Sequence, residues 1–84
     1  MTNKEILKKQ IIYRAEHRGT KEMDLLLGEF VKKHINKFNN NELMDLQNLM
    51  HIEDEVIHRW YFEKKNVESI PKTKVSDLLK KFKI

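Results

Sequence analysis

Apolar residues recur along this chain at intervals of three and four, and no stretch keeps the strict alternation of a half-buried strand, so the pattern predicts an all-α protein. Leu7, Ile11 and Ala15 stand at i, i+4 and i+8 with Ile12 beside them, which predicts a first amphipathic helix over about Asn3 to His17. Gly19 follows as its expected stop, in the left-handed conformation that closes the last carbonyls, with Arg14 and Arg18 complementing the helix dipole. Thr20 then caps a second helix, whose stripe of Met23, Leu26, Leu27, Phe30, Val31 and Ile35 is the widest in the sequence, with His34 at its boundary. Glu22 and Asp24 fall in its first turn, where negative charge is favoured.

The run Asn39, Asn40, Asn41 breaks that helix, because asparagine side chains compete for backbone hydrogen bonds and prefer turns and caps. One of them caps a third helix in a box-like arrangement with Glu42, and Leu43, Leu46, Leu49 and Met50 supply its buried face. The register shifts near Ile52. Glu53, Asp54 and Glu55 form the acidic first turn of a fourth helix carrying Val56, Ile57, Trp60 and Tyr61 inward, with Trp60 as its core or groove residue. After a loop from Asn66 to Pro71, a short fifth helix carries Val75, Leu78, Leu79 and Phe82 with lysines between them. The expectation is one small domain, a bundle of five helices over residues 1–84, with fraying at both termini.

Composition narrows the functions open to such a bundle. The 84 residues bury too little surface for a deep internal cavity, so stable binding of a dinucleotide by this chain alone is not expected. No cysteine is present, which removes disulfides, thiolate metal sites and cysteine nucleophiles and suits a reducing compartment. The only glycines, Gly19 and Gly28, stand alone, so no phosphate-cradling loop can form. His51, Glu55 and His58 would share one face of an unbroken helix, but the acidic helix start at Glu53 interrupts it, and no metal site is expected. Ser69 and Ser76 lie in no nucleophile-elbow context. The chain is therefore not expected to be an enzyme. It contains no apolar run long enough to span a membrane and begins with charged residues, which fits the cytoplasm, with no direct membrane insertion.

Charge is distributed unevenly. Lys plus Arg exceed Asp plus Glu by 17 to 13. Glu42 to Glu55 holds five acids and no Lys or Arg, whereas eight bases face three acids from Arg59 onward. Only one of those bases is an arginine, the main reader of base edges, and the lysines are spaced as the solvated side of an amphipathic helix, so nucleic acid is not the expected partner.

The junction His17-Arg18-Gly19-Thr20-Lys21-Glu22-Met23-Asp24 combines ordinary helix punctuation with a recognisable pattern. A tight turn at Gly19 would set Arg18 against Glu22 as a surface ion pair. Arg18-Gly19-x-x-Glu22, extended through Met23-Asp24-Leu25-Leu26-Leu27, resembles the RGxxE signature of the succinate dehydrogenase flavinylation factors, the SdhE-like family. Leu49-Met50, Glu53-Asp54 and Val56 leading to Trp60 resemble the family's second block, so the likeness covers about Ile11 to Pro71. Two departures are visible: family members often carry a glycine shortly after that tryptophan, where this chain has Tyr61-Phe62-Glu63-Lys64-Lys65, and the lysine-rich tail has no evident counterpart.

The resemblance implies a five-helix bundle that assists covalent attachment of FAD to the flavoprotein subunit of succinate dehydrogenase or fumarate reductase. FAD would belong to that partner. It further implies that Arg18, Gly19 and Glu22 lie at the partner interface, with His17 and Asp24 as secondary contacts, Arg18 presenting a donor fork to the flavoprotein and Gly19 allowing close backbone approach. The free protein is expected to be a monomer. The alternative is a helical interaction module of antitoxin-like or regulatory type using the same face.

Overall fold

The computed structural model describes residues 2–83, and within them the chain forms five helices and no strand. They are α1 (Asn3–Glu16), α2 (Lys21–His34), α3 (Asn40–Met50), α4 (Asp54–Tyr61) and α5 (Lys74–Lys81). The expectation of fraying at both termini falls in part on Met1 and Ile84, which lie outside the described residues.

Each boundary has a local chemical cause. Thr20 Oγ1 accepts the Met23 N–H at the start of α2, and Asn39 with Glu42 forms a reciprocal capping box at the start of α3. Thr73 and Ser76 make a second such box on α5, where the buried Ser76 hydroxyl also donates to the Pro71 carbonyl at 2.7 Å. Tyr61 Oη donates to the Phe82 carbonyl and ties the end of α5 to α4.

α1 lies against α2 and α3, and α3 against α5. Ile11, Leu26, Phe30, Leu46, Ile57 and Leu79, one or more from every helix, are completely shielded in one shared core, and Trp60 is 7 % exposed at its edge. Burying such side chains contributes roughly 1.5–3 kcal/mol each before the entropy of ordering them is subtracted. α1 is less one-sided than its spacing suggests: Ile11 and Ala15 are buried, Leu7 and Ile12 pack against the core, but Ile6 and Tyr13 face solvent.

The turn between α1 and α2 differs from expectation. Gly19 has no positive φ, so it is not a left-handed helix stop. His17 closes α1 with φ −122° and ψ 56°, and the reason for glycine at position 19 lies elsewhere. The left-handed position is instead Lys64, with φ 58°, just beyond α4 where the family resemblance leads one to expect a glycine.

Candidate functional site

The α1–α2 turn is held by the second half of the chain. Arg18 reaches across it and places all three guanidinium nitrogens: Nε donates to Asp54 Oδ1 at 2.5 Å, Nη1 to the Met50 carbonyl and Nη2 to the Ile52 carbonyl, each at 2.6 Å. Met50 ends α3, whose last carbonyls lack helical partners and carry partial negative charge, so a cation is favoured there. Asp54 opens α4, where an anion is favoured for the opposite reason. The Arg18 side chain thus bridges the end of one helix and the start of the next at 8 % exposure, against 24 % for Asp54.

The second Asp54 oxygen accepts the Gly19 N–H at 2.5 Å. A Cβ on Gly19 would stand 2.9 Å from that oxygen, closer than real side chains come, and this approach explains the glycine. Asp24 also works internally, its Oδ1 accepting the Arg18 backbone N–H at 2.5 Å. Arg18, Gly19, Asp24 and Asp54 therefore form one interlocked cluster joining α1, α2 and α4.

The expected Arg18–Glu22 ion pair is absent, because Asp54 and two carbonyls already occupy the guanidinium. Glu22 turns outward, its side chain 54 % exposed, and its Oε1 lies 3.5 Å from His58 Nε2 on α4. His17 is exposed, with its Nδ1 2.8 Å from the Tyr13 carbonyl and its ring stacked on Tyr13 at 4.0 Å between centroids. The resemblance implied a donor fork offered to a partner; the fork is turned inward, whereas His17, Gly19 and Glu22 are exposed.

Beside this cluster runs an open groove of about 810 Å³, lined among others by Tyr13, Arg14, His17, Gln47, His51 and Glu53. It is bounded by α1 on one side and by the end of α3 and the start of α4 on the other. His51 terminates α3 while Glu55 and His58 belong to α4, so these three do not share a helix face, and no group of side chains among the described residues is arranged to hold a metal ion. No helix among them is long and apolar enough to cross a membrane. Asp54 and His58 are the residues that sequence reasoning missed. Their signal was in each case a contact across 36 positions, which periodicity does not reveal.

The site is thus a helical scaffold in which a locked turn stands beside an open groove. The profile of the family described as "Flavinator of succinate dehydrogenase" matches residues 9–83, and the chain belongs to that family. The match includes the lysine-rich stretch from Lys72 to Lys83, which corrects the expectation that the tail lacks a family counterpart.

Among curated relatives, the chain is 38 % identical over 77 residues to "Succinate dehydrogenase assembly factor 2, mitochondrial" of Scheffersomyces stipitis, covering 90 % of this chain and 52 % of that protein. It is 30 % identical over 74 residues to "FAD assembly factor SdhE" of Acetobacter pasteurianus, covering 88 % and 65 %. It is 35 % identical over 75 residues to the assembly factor 2 of Dictyostelium discoideum, also named mitochondrial, covering 89 % and 53 %. The chain thus spans between half and two thirds of the length of these relatives. No solved structure matches it.

Proposed function

We propose that this protein binds the flavoprotein subunit of succinate dehydrogenase, or of fumarate reductase, and promotes covalent attachment of FAD to it, acting from the cytoplasm as a monomer when free. The family match over residues 9–83 carries this reading, and the turn geometry supports it. Arg18 and Asp24 hold the turn from behind, while His17, the Gly19 backbone and Glu22 meet the partner. An exposed glycine leaves no side chain between backbone and partner.

FAD is the partner's cofactor, and the covalent chemistry belongs to the partner and the flavin. The contribution of this chain is to favour a flavoprotein conformation in which the flavin and its accepting histidine are aligned, since fixing reactants in a near-attack geometry can remove several kcal/mol of barrier. A locked turn suits that task, because a pre-organised surface loses little entropy on docking.

The test is in-gel flavin fluorescence of the denatured flavoprotein subunit, expressed with this protein, without it, and with Glu22→Gln or Gly19→Trp. Covalent flavin should rise with the intact chain and fall with folded variants. Equal fluorescence in all four samples, with the partner known to be competent, would refute the proposal. Retrieval of a non-flavoprotein partner through the same face would then favour a regulatory interaction module.

A further inference from the structure

His58 has no part in the Arg18 cluster, yet it stands between two carboxylates. Its Nε2 faces Glu22 Oε1 at 3.5 Å and its Nδ1 faces Glu63 Oε2 at 3.4 Å. The charged groups paired with the ring are Glu22 from α2 and Glu63 from the segment after α4. Glu63 has a second partner in Lys65 Nζ at 3.4 Å. Phe62 packs against the ring at 5.0 Å.

The two protonation states of imidazole treat this arrangement differently. The neutral ring carries one N–H and one lone pair, and an ionised carboxylate only accepts, so neutral His58 can satisfy one of its two neighbours and repels the other. The cation donates from both nitrogens and holds both. Histidine is the side chain that makes this change between about pH 5 and 8.

We propose that His58 is a positioning residue for Glu22: protonated, it draws the Glu22 carboxylate onto α4, and neutral, it leaves that carboxylate free for the partner. This rests on the reading of Glu22 as a partner contact. With side chains 42 % and 54 % exposed, the contact competes with water, so its effect on partner affinity is limited to about two- to five-fold, the range of an exposed ion pair.

Two measurements test it. In the free protein, the Glu22 carboxyl ¹³C resonance should show, besides its own titration, a step coincident with that of the His58 ring, and His58→Gln should abolish this step. Affinity for the purified flavoprotein subunit, measured by calorimetry at pH 7.5 and 5.5, should fall two- to five-fold more in the native protein than in His58→Gln. Equal pH dependence in the two, with Glu22→Gln weakening binding at pH 7.5, overturns the role of His58 alone. If Glu22→Gln leaves affinity unchanged, the reading of Glu22 as a contact fails, and the proposed coupling with it. A Glu22 resonance indifferent to His58 overturns the proposal without any partner present.

Discussion

Replacing Asp54 by alanine tests whether the turn between α1 and α2 is held from across the molecule. The substitution removes the acceptor of the Arg18 Nε–H and of the Gly19 N–H. Arg18 keeps its bonds to the Met50 and Ile52 carbonyls, but its charge stays in place at 8 % exposure without a counter-ion. Removing one partner of a fully buried pair costs about 3–5 kcal/mol. Asp54 is 24 % exposed, so water can replace part of its role, and a loss of about 2–3 kcal/mol is expected. The exposed Gly19 N–H turns to water and adds little.

A domain of this size has roughly 4–12 kcal/mol of stability, so the variant should still fold. Its melting temperature should fall by roughly 10–20 °C, at about 4–8 °C per kcal/mol for a small domain. Urea unfolding followed by far-ultraviolet circular dichroism measures the change, provided the slope against urea stays that of the native protein. Arg18→Ala and the double variant complete a cycle whose coupling energy should reach about 1.5–3 kcal/mol. Glu55→Ala, an exposed acid in the same turn of α4, is the control and should stay within about 0.5 kcal/mol of the native protein. A loss at Asp54 no larger than at Glu55, or a coupling energy near zero, would refute the reasoning.

Three further outcomes can be checked by the same unfolding measurements. Gly19→Ala should destabilise by about 1–2 kcal/mol, because its Cβ meets the held Asp54 oxygen at 2.9 Å; in the Asp54→Ala background the same change should be neutral or slightly stabilising, and equal effects in both would count against the contact. Lys64→Gly should stabilise by about 0.5–1 kcal/mol, since a side chain at φ 58° costs about 1–2 kcal/mol and glycine returns part of that gain as chain entropy; a loss of stability would contradict it. The His34 ring is held below its ordinary range first by burial and then by the nearby Lys33 and Lys37 cations, so the fold prefers it neutral. Its contribution is present above the unfolded histidine value of about 6.5 and is lost as pH falls toward the lower folded value; His34→Phe should lessen the loss of stability between pH 7.5 and 5.5, and an unchanged loss would refute the assignment.

Much of the architecture was legible because it is written in local terms. The stripe from Met23 to Ile35, the Asn39–Glu42 box and the Thr20 cap each depend on residues within a few positions of one another, and the helices begin and end close to where those signals fall. What escaped was carried by distance along the chain. Arg18 and Glu22 are sequence neighbours of opposite charge, so a local reading joins them; the fold instead supplies Arg18 with a carboxylate and two carbonyls from the far side of the molecule. The glycine was misread for the same reason. Its backbone is unremarkable, and only the approach of Asp54 makes a side chain at position 19 costly.

The spacing within the motif follows from these contacts and carries one last consequence. Arg18 and Gly19 fix the turn, Thr20 caps α2, and Glu22 is then set in the first turn of a helix whose start is already located. On α4, Asp54 and His58 are four residues apart and so lie on one face, one facing the Arg18–Gly19 end of the motif and the other facing Glu22. Both ends of the motif are therefore registered against a single helix face. If Asp54 is what holds that register, Asp54→Ala should loosen the first turn of α2 and shift the His58 ring resonances, although the ring makes no bond to Asp54. Unshifted His58 resonances in the folded variant would refute this, and would mean that the register of Glu22 against α4 is held without Asp54.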